Sequence, residues 1–288
     1  MGFTSFDDMI SKMTSGQQYR YDFSKTSLVT HAAGRWYDMS LETGIPMQNP
    51  YTAETTNLKF RALSDADGMG MYHGGNVSPA TKHLVNIGAF GTTATSVPSI
   101  IQLVDVLGYY PITTVTLTTA QTLDNTVTLP RYANGEGVRA YLVARATVGA
   151  GTPNITINYT DTNDVSKAAT LIPSAVSAAV QGHIVHSDPS AGKYGAFFPL
   201  NAGDKGIKKI NTIQLSATMT SGSLALVLCK PLTSLPLTVL GVQSERNLVN
   251  QLPSLPRIYD GANLNMLLFT GAAYAAAGQI TGYVETAW

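Results

Sequence analysis

Charged side chains are scarce in this chain. Of its 288 residues, 18 are Lys or Arg and 18 are Asp or Glu, so only 12% are charged and the formal net charge is zero. About a quarter is usual for a globular protein. A surface with few charges of either sign has little repulsion to keep copies apart, which favours association. The balance also argues against a nucleic-acid partner, since phosphate binding needs a basic stripe and the sequence has none. Cysteine is nearly absent too. Cys229 stands alone, which excludes an intrachain disulfide and a thiolate metal cluster. The first 13 residues contain Asp7 and Asp8 and no apolar run, so neither a signal peptide nor a membrane span is expected there. Phe6 stands where a myristoylation signal has Ser or Thr. The chain is expected to be made in a cytoplasm, with no membrane partner.

Chemical motifs are missing as well. There is no G-x-S-x-G elbow, phosphate loop or dinucleotide fingerprint, so the commonest hydrolase and cofactor signatures are absent. His183 and His186 are three apart in an expected strand or turn, a spacing that points side chains to opposite faces and disfavours joint metal ligation. Asp65-Ala66-Asp67-Gly68 begins like a calcium loop, but Met69 occupies the fifth position and no Glu occupies the twelfth. A glycine turn is the simpler reading. No enzyme activity, catalytic residue, cofactor or metal is expected.

What is present is strand pattern. From Pro111 onward β-branched residues dominate, beginning with Thr113 to Thr119. Asn154 to Thr160 alternates strictly and puts Ile155, Ile157 and Tyr159 on one face. Thr212 to Ala217 alternates likewise, Leu224 to Leu228 and Leu264 to Phe269 are continuous apolar runs, and Gln279 to Thr286 closes the chain. Turn signals such as Asn134-Gly135 and Asp188-Pro189 separate these runs. The pattern predicts a mainly β chain, with an antiparallel sandwich or jelly roll over residues 111–288. Pro231, Pro236, Pro253 and Pro256 suggest that Leu232 to Arg257 leaves the sheet and returns.

The first part is less regular. Ser5 reads as an N-cap with Asp8 three residues on, before a helical stripe of Phe6, Met9, Ile10 and Met13. Aromatic residues and glycines then mix without period, which predicts an extended arm over residues 1–76. Trp36, Tyr37, Tyr51 and Phe60 are candidate interface anchors, because large aromatics dominate interface energetics. Packing on the chain's own sheet is the equal alternative. Residues 77–110 are expected to be helical, with Ile100, Ile101, Leu103, Val104 and Leu107 forming a face and Gly108 a stop.

Thr81-Lys82-His83-Leu84, the segment ending Gly108-Tyr109-Tyr110-Pro111, the run Asp124-Asn125-Thr126-Val127-Thr128-Leu129-Pro130-Arg131-Tyr132, and Leu226 to Leu232 resemble a group of tailed-bacteriophage virion proteins. The likeness extends from about Trp36 to Leu232. It implies a structural protein on the head surface of the virion, of the decoration or minor capsid type. It also implies partners that are copies of itself, in a homotrimer, and the major capsid protein. Rival readings are a tail or baseplate protein, the major capsid protein itself, and a receptor- or carbohydrate-binding module with Tyr194, Phe197 and Phe198 as a platform.

Overall fold

The computed structural model describes residues 2–49, 51–93, 97–173, 176, 178–188, 190, 195–251 and 255–288. Helix α1 (Phe6–Thr14) begins where the capping signal places it, with Ser5 Oγ accepting from Asp8 N at 3.0 Å. Nine residues are too few for a stable helix in water. Met9 is accordingly buried against the body.

Strands make up most of the rest of the regular structure among the described residues. In chain order they are β1 (Gln18–Thr26), β2 (Arg35–Asp38), β3 (Thr43–Ile45), β4 (Arg61–Ala62), β5 (Lys82–Gly91), β6 (Ser99–Ile112), β7 (Gln121–Thr122), β8 (Arg139–Ala146) and β9 (Ile155–Asp161). There follow β10 (Ser166–Leu171), β11 (Ile184–Val185), β12 (Ile207–Leu215), β13 (Ser223–Leu237), β14 (Ser244–Asn247), β15 (Arg257–Ile258), β16 (Leu264–Thr270) and β17 (Gln279–Ala287). A single helical turn, α2 (Leu248–Gln251), follows β14. No helix among the described residues is long and apolar enough to cross a membrane.

Among the described residues the strands form three antiparallel sheets. One has the order β14-β5-β17-β1-β3 with β15 also on β5, the second β10-β9-β12-β7, and the third β11-β8-β13-β6-β16-β2 with β4 also on β6. The third is built on the two longest strands, β6 and β13. One face of it shares a core with the four-stranded sheet, where Tyr110, Leu142, Leu226 and Leu228 meet Ile155, Ile157, Tyr159 and Ile210. Further along, Ile101, Leu103, Leu235 and Leu268 share a second core with Phe23, Ile87, Ile280 and Val284 of the first sheet. The opposite face carries Val104, Val106, Tyr109, Tyr141 and Val227, covered by Leu41, Tyr51, Leu63 and Ala196. Each such side chain contributes about 1.5–3 kcal/mol on burial.

The structure differs from the sequence reading at four places. The segment 77–110 is not helical: β5 and β6 occupy it. Ile100 to Leu107 fits a helical stripe, yet it belongs to a strand that is covered on both faces from Leu103 onward, where apolar side chains need no alternation. The arm over 1–76 is likewise part of the body, since β1 lies between β17 and β3, and β2 edges the third sheet. The first sheet therefore draws on all three of the expected segments. Pro231 and Pro236 do not break β13 either. They fall beyond Cys229, where β8 pairing ends, and Pro231 adjoins a register shift against β6, both places where a missing N–H costs least.

Gly108 is not a helix stop but a point of close approach. A Cβ there would sit 2.4 Å from Arg61 O and 2.5 Å from Phe60 Cζ. Gly108→Val is expected to lower stability by about 3 kcal/mol, the upper range for overpacking a core, read as a lower urea midpoint.

Candidate functional site

Four polar nodes lie inside the fold. Asp38 ends β2 and is fully buried. Its Oδ1 accepts from Ser40 N at 2.9 Å and Ser40 Oγ at 2.6 Å, and its Oδ2 from Tyr51 OH at 2.6 Å and Tyr141 OH at 2.7 Å. Burial pushes the carboxyl upward, and the Ser40 and tyrosine donors pull against it. Burial, then the adjacent carboxylate, drives both phenols up. Tyr51 reaches the node from a left-handed backbone, φ 52°, a conformation that persists only when its surroundings over-determine it.

Beside it, Glu42 receives His31 Nε2 at 2.8 Å and the amide of Leu28. The His31 ring lies between two tyrosines, stacked 3.7 Å from Tyr37 and 5.3 Å from Tyr274. Tyr37 then meets His183 at 5.4 Å, and His183 meets His186 at 5.8 Å, completing a column of rings. The expectation that His183 and His186 face apart is not met: β11 between them is two residues long, and their rings converge where it ends. Lys25 closes this node from β1, donating to the carbonyls of Glu42 at 3.1 Å and Pro46 at 2.7 Å. Burial lowers its pKa to about 8, against the raising effect of Asp38 and Glu42.

Asp105 on β6 forms the third node with Arg131. The guanidinium grips the carboxylate through Nε at 2.9 Å and Nη2 at 2.7 Å, and donates to the carbonyls of Leu63 and Val106, each at 3.0 Å. Asn263 N adds a donor to Asp105 at 3.0 Å. In the fourth, Lys82 Nζ meets His73 Nδ1 at 2.9 Å, Asp260 Oδ1 at 3.4 Å and the Gly75 carbonyl. These nodes tie strands to the segments that cover them. Among the described residues, no three His, Cys, Asp or Glu side chains gather to hold a metal.

The structure distributes the candidate anchors unevenly. Tyr37 is in the ring column, Tyr51 in the Asp38 node, and Phe60 against Tyr110 at 4.9 Å. All three are buried within the chain, which gives a partner no access to them in this conformation. Trp36 is half-buried on Phe269 at 5.4 Å. Of the proposed sugar platform, Phe198 is buried, Phe197 packs 6.3 Å from Tyr141, and Tyr194 lies outside the described residues.

A surface feature the sequence did not flag sits at the edge of the first sheet. β3 pairs with β1 on one side only. Around it Leu28, Ile45 and Met47 are 45%, 57% and 69% exposed. They are spread along β3: Leu28 N reaches Glu42 just ahead of it, Ile45 ends it opposite Ser24, and Met47 follows the Pro46 carbonyl that holds Lys25. An open edge with large apolar side chains is a place where another chain can add.

No family model matches this chain, and no curated protein matches it. Among solved structures it is similar, at 8% identity and a TM-score of 0.17, to the crystal structure of the infectious bursal disease virus VP2 subviral particle, over 94% of this chain and 80% of that one. It is also similar to the structure of the infectious bursal disease virus Gt strain, at 11% identity and a TM-score of 0.16, over 94% of this chain and 81% of that one. Likeness at this level establishes neither a shared fold nor a shared function.

Proposed function

We propose that the chain is a structural subunit of a viral particle, acting through contacts with copies of itself and with other shell proteins. The observation that carries this reading is the exposed apolar edge at Leu28, Ile45 and Met47, on a chain whose charges are few and balanced. Several of those charges, including Lys25, Glu42, Asp105 and Arg131, are turned inward, which leaves the outside poorer still in repulsion. The more specific reading is a decoration or minor capsid subunit on the head of a tailed phage, as a homotrimer bound to the major capsid protein. The cores shared between stacked sheets support a sandwich or jelly-roll architecture for it.

Two measurements bear on this. Quantitative mass spectrometry of purified particles, joined to a cryo-microscopy map, is expected to find the chain in many copies over the head. A few copies in the tail, or none in the particle, would reject the head assignment. Ile45→Asp with Met47→Asp is expected to weaken self-association at least about tenfold, the loss of one modest apolar contact, with the unfolding midpoint almost unchanged because both side chains are exposed. Sedimentation velocity across a dilution series reads the first and urea unfolding the second.

A further inference from the structure

A cavity of about 250 Å³ opens between the four-stranded sheet and the β6–β13 part of the seven-stranded sheet, roofed by residues 125–133. Its floor is apolar: Phe60, Tyr110, Leu129 and Leu228 line it, and all four are buried. The Tyr110 hydroxyl is already spent on Asn125 Oδ1 at 2.7 Å, and Asn125 Nδ2 on Ile210 O at 2.8 Å. What those side chains leave to an occupant is hydrocarbon surface.

The mouth has the opposite character. Lys208 and Lys209, adjacent in β12, both line the cavity. On a regular strand consecutive side chains point to opposite faces. Here the register against β9 shifts between Ile207 and Lys209, and a bulge of this kind re-aims a side chain. Lys208 is paired with Asp164 at 2.6 Å. Lys209 has no carboxylate within ion-pair distance among the described residues, so the mouth carries one surplus positive charge.

We propose that this cavity binds a small amphipathic carboxylate, with its hydrocarbon tail on the Phe60, Tyr110, Leu129 and Leu228 floor and its head group at Lys209. A dry apolar cavity of about 150 Å³ is enough to hold benzene, so 250 Å³ suits a medium-chain fatty acid or an arylalkanoate. Neutral apolar molecules would fill the floor and leave the lysine unused. Short acids would meet the lysine and leave the floor empty.

The test is calorimetric titration of the full chain with octanoate, butyrate and octanol, repeated on Lys209→Gln and on Leu129→Trp, which fills the cavity. Octanoate is expected to bind more tightly than either comparison compound. Lys209→Gln is expected to weaken octanoate about tenfold, as for loss of one charge-assisted contact, and to leave octanol unchanged. Leu129→Trp, if folded by circular dichroism, should abolish binding; Val127→Trp on the exposed rim serves if it is not. The proposal is overturned if octanoate binds no better than butyrate, or if its affinity is unmoved by Lys209→Gln, which would place it elsewhere. Octanoate failure would not touch the assembly reading, which the sedimentation experiment decides separately.

Discussion

Arg131→Met is expected to destabilise the chain by about 3–5 kcal/mol, the cost of leaving one member of a buried ion pair behind. Arg131 and Asp105 are 7% and 1% exposed, so water cannot replace what is lost. Asp105 would keep only the Asn263 amide as donor, and the Leu63 and Val106 carbonyls would each lose a partner. The pair joins β6 to the segment before β8 and to the turn ahead of β16, so its loss loosens three parts of the fold together. The double variant Arg131→Met with Asp105→Leu should be less damaged than the two single losses added, because no uncompensated charge remains. Urea unfolding of the four proteins in a double-mutant cycle measures this. An Arg131→Met loss below about 1 kcal/mol, the level of an exposed pair, would contradict the role given to the node.

The second large effect concerns acid. His183 is buried, with neither ring nitrogen paired within the described residues, and burial, followed by Arg35, His186 and His31, pushes its pKa down to about 3. The unfolded chain takes up its proton near pH 6.5, while the folded chain refuses it until about pH 3. Stability from this group is therefore whole above pH 6.5 and is lost as pH falls toward 3. The full span corresponds to at most about 5 kcal/mol. His183→Phe keeps a ring in the column and removes the proton site. Its unfolding free energy is expected to match or exceed that of the parent at pH 7, and the gap in its favour should widen steadily down to pH 4. A gap that stays constant with pH would mean that His183 is not what makes the fold acid-sensitive.

Several strands after Pro111 were legible: Ile155, Ile157 and Tyr159 sit in the shared core on the face their period predicts, and the apolar runs Leu224 to Leu228 and Leu264 to Phe269 lie in β13 and β16. Thr113 to Thr119, β-branched though it is, forms no strand and is a turn with irregular flanks. The N-terminal helix was legible from Ser5 and its stripe. β6 was not, because a strand covered on both faces has no period to read. β1 was hidden for another reason: it carries Arg20, Asp22 and Lys25 among its aromatics, and only pairing with β17, more than 250 residues away, makes a strand of it. The nodes were hidden by pairings that chain order does not show, 26 residues apart for Asp105 and Arg131 and 178 for Lys82 and Asp260. Arg131 stood in the run that carried the family resemblance, without a role, and its partner Asp105 lay in a stretch read as helix. One signal was available, since a single carboxylate in Ile-Ile-Gln-Leu-Val-Asp-Val-Leu must find a cation or hydrogen-bond donors if that run is buried. Aromatic size alone did not separate core from surface here. Tyr37, Tyr51 and Phe60 are large enough to be worth burying inside the chain, and the edge was left to Leu28, Ile45 and Met47.

This chain is proposed to work by association, and the mass of the purified 288-residue chain in solution tests that most directly. Light scattering on a size-exclusion column, run from low micromolar to several hundred micromolar, is expected to give multiples of the 30.5 kDa chain, with three copies as the proposed unit. A mass of 30.5 kDa at every concentration would contradict the account.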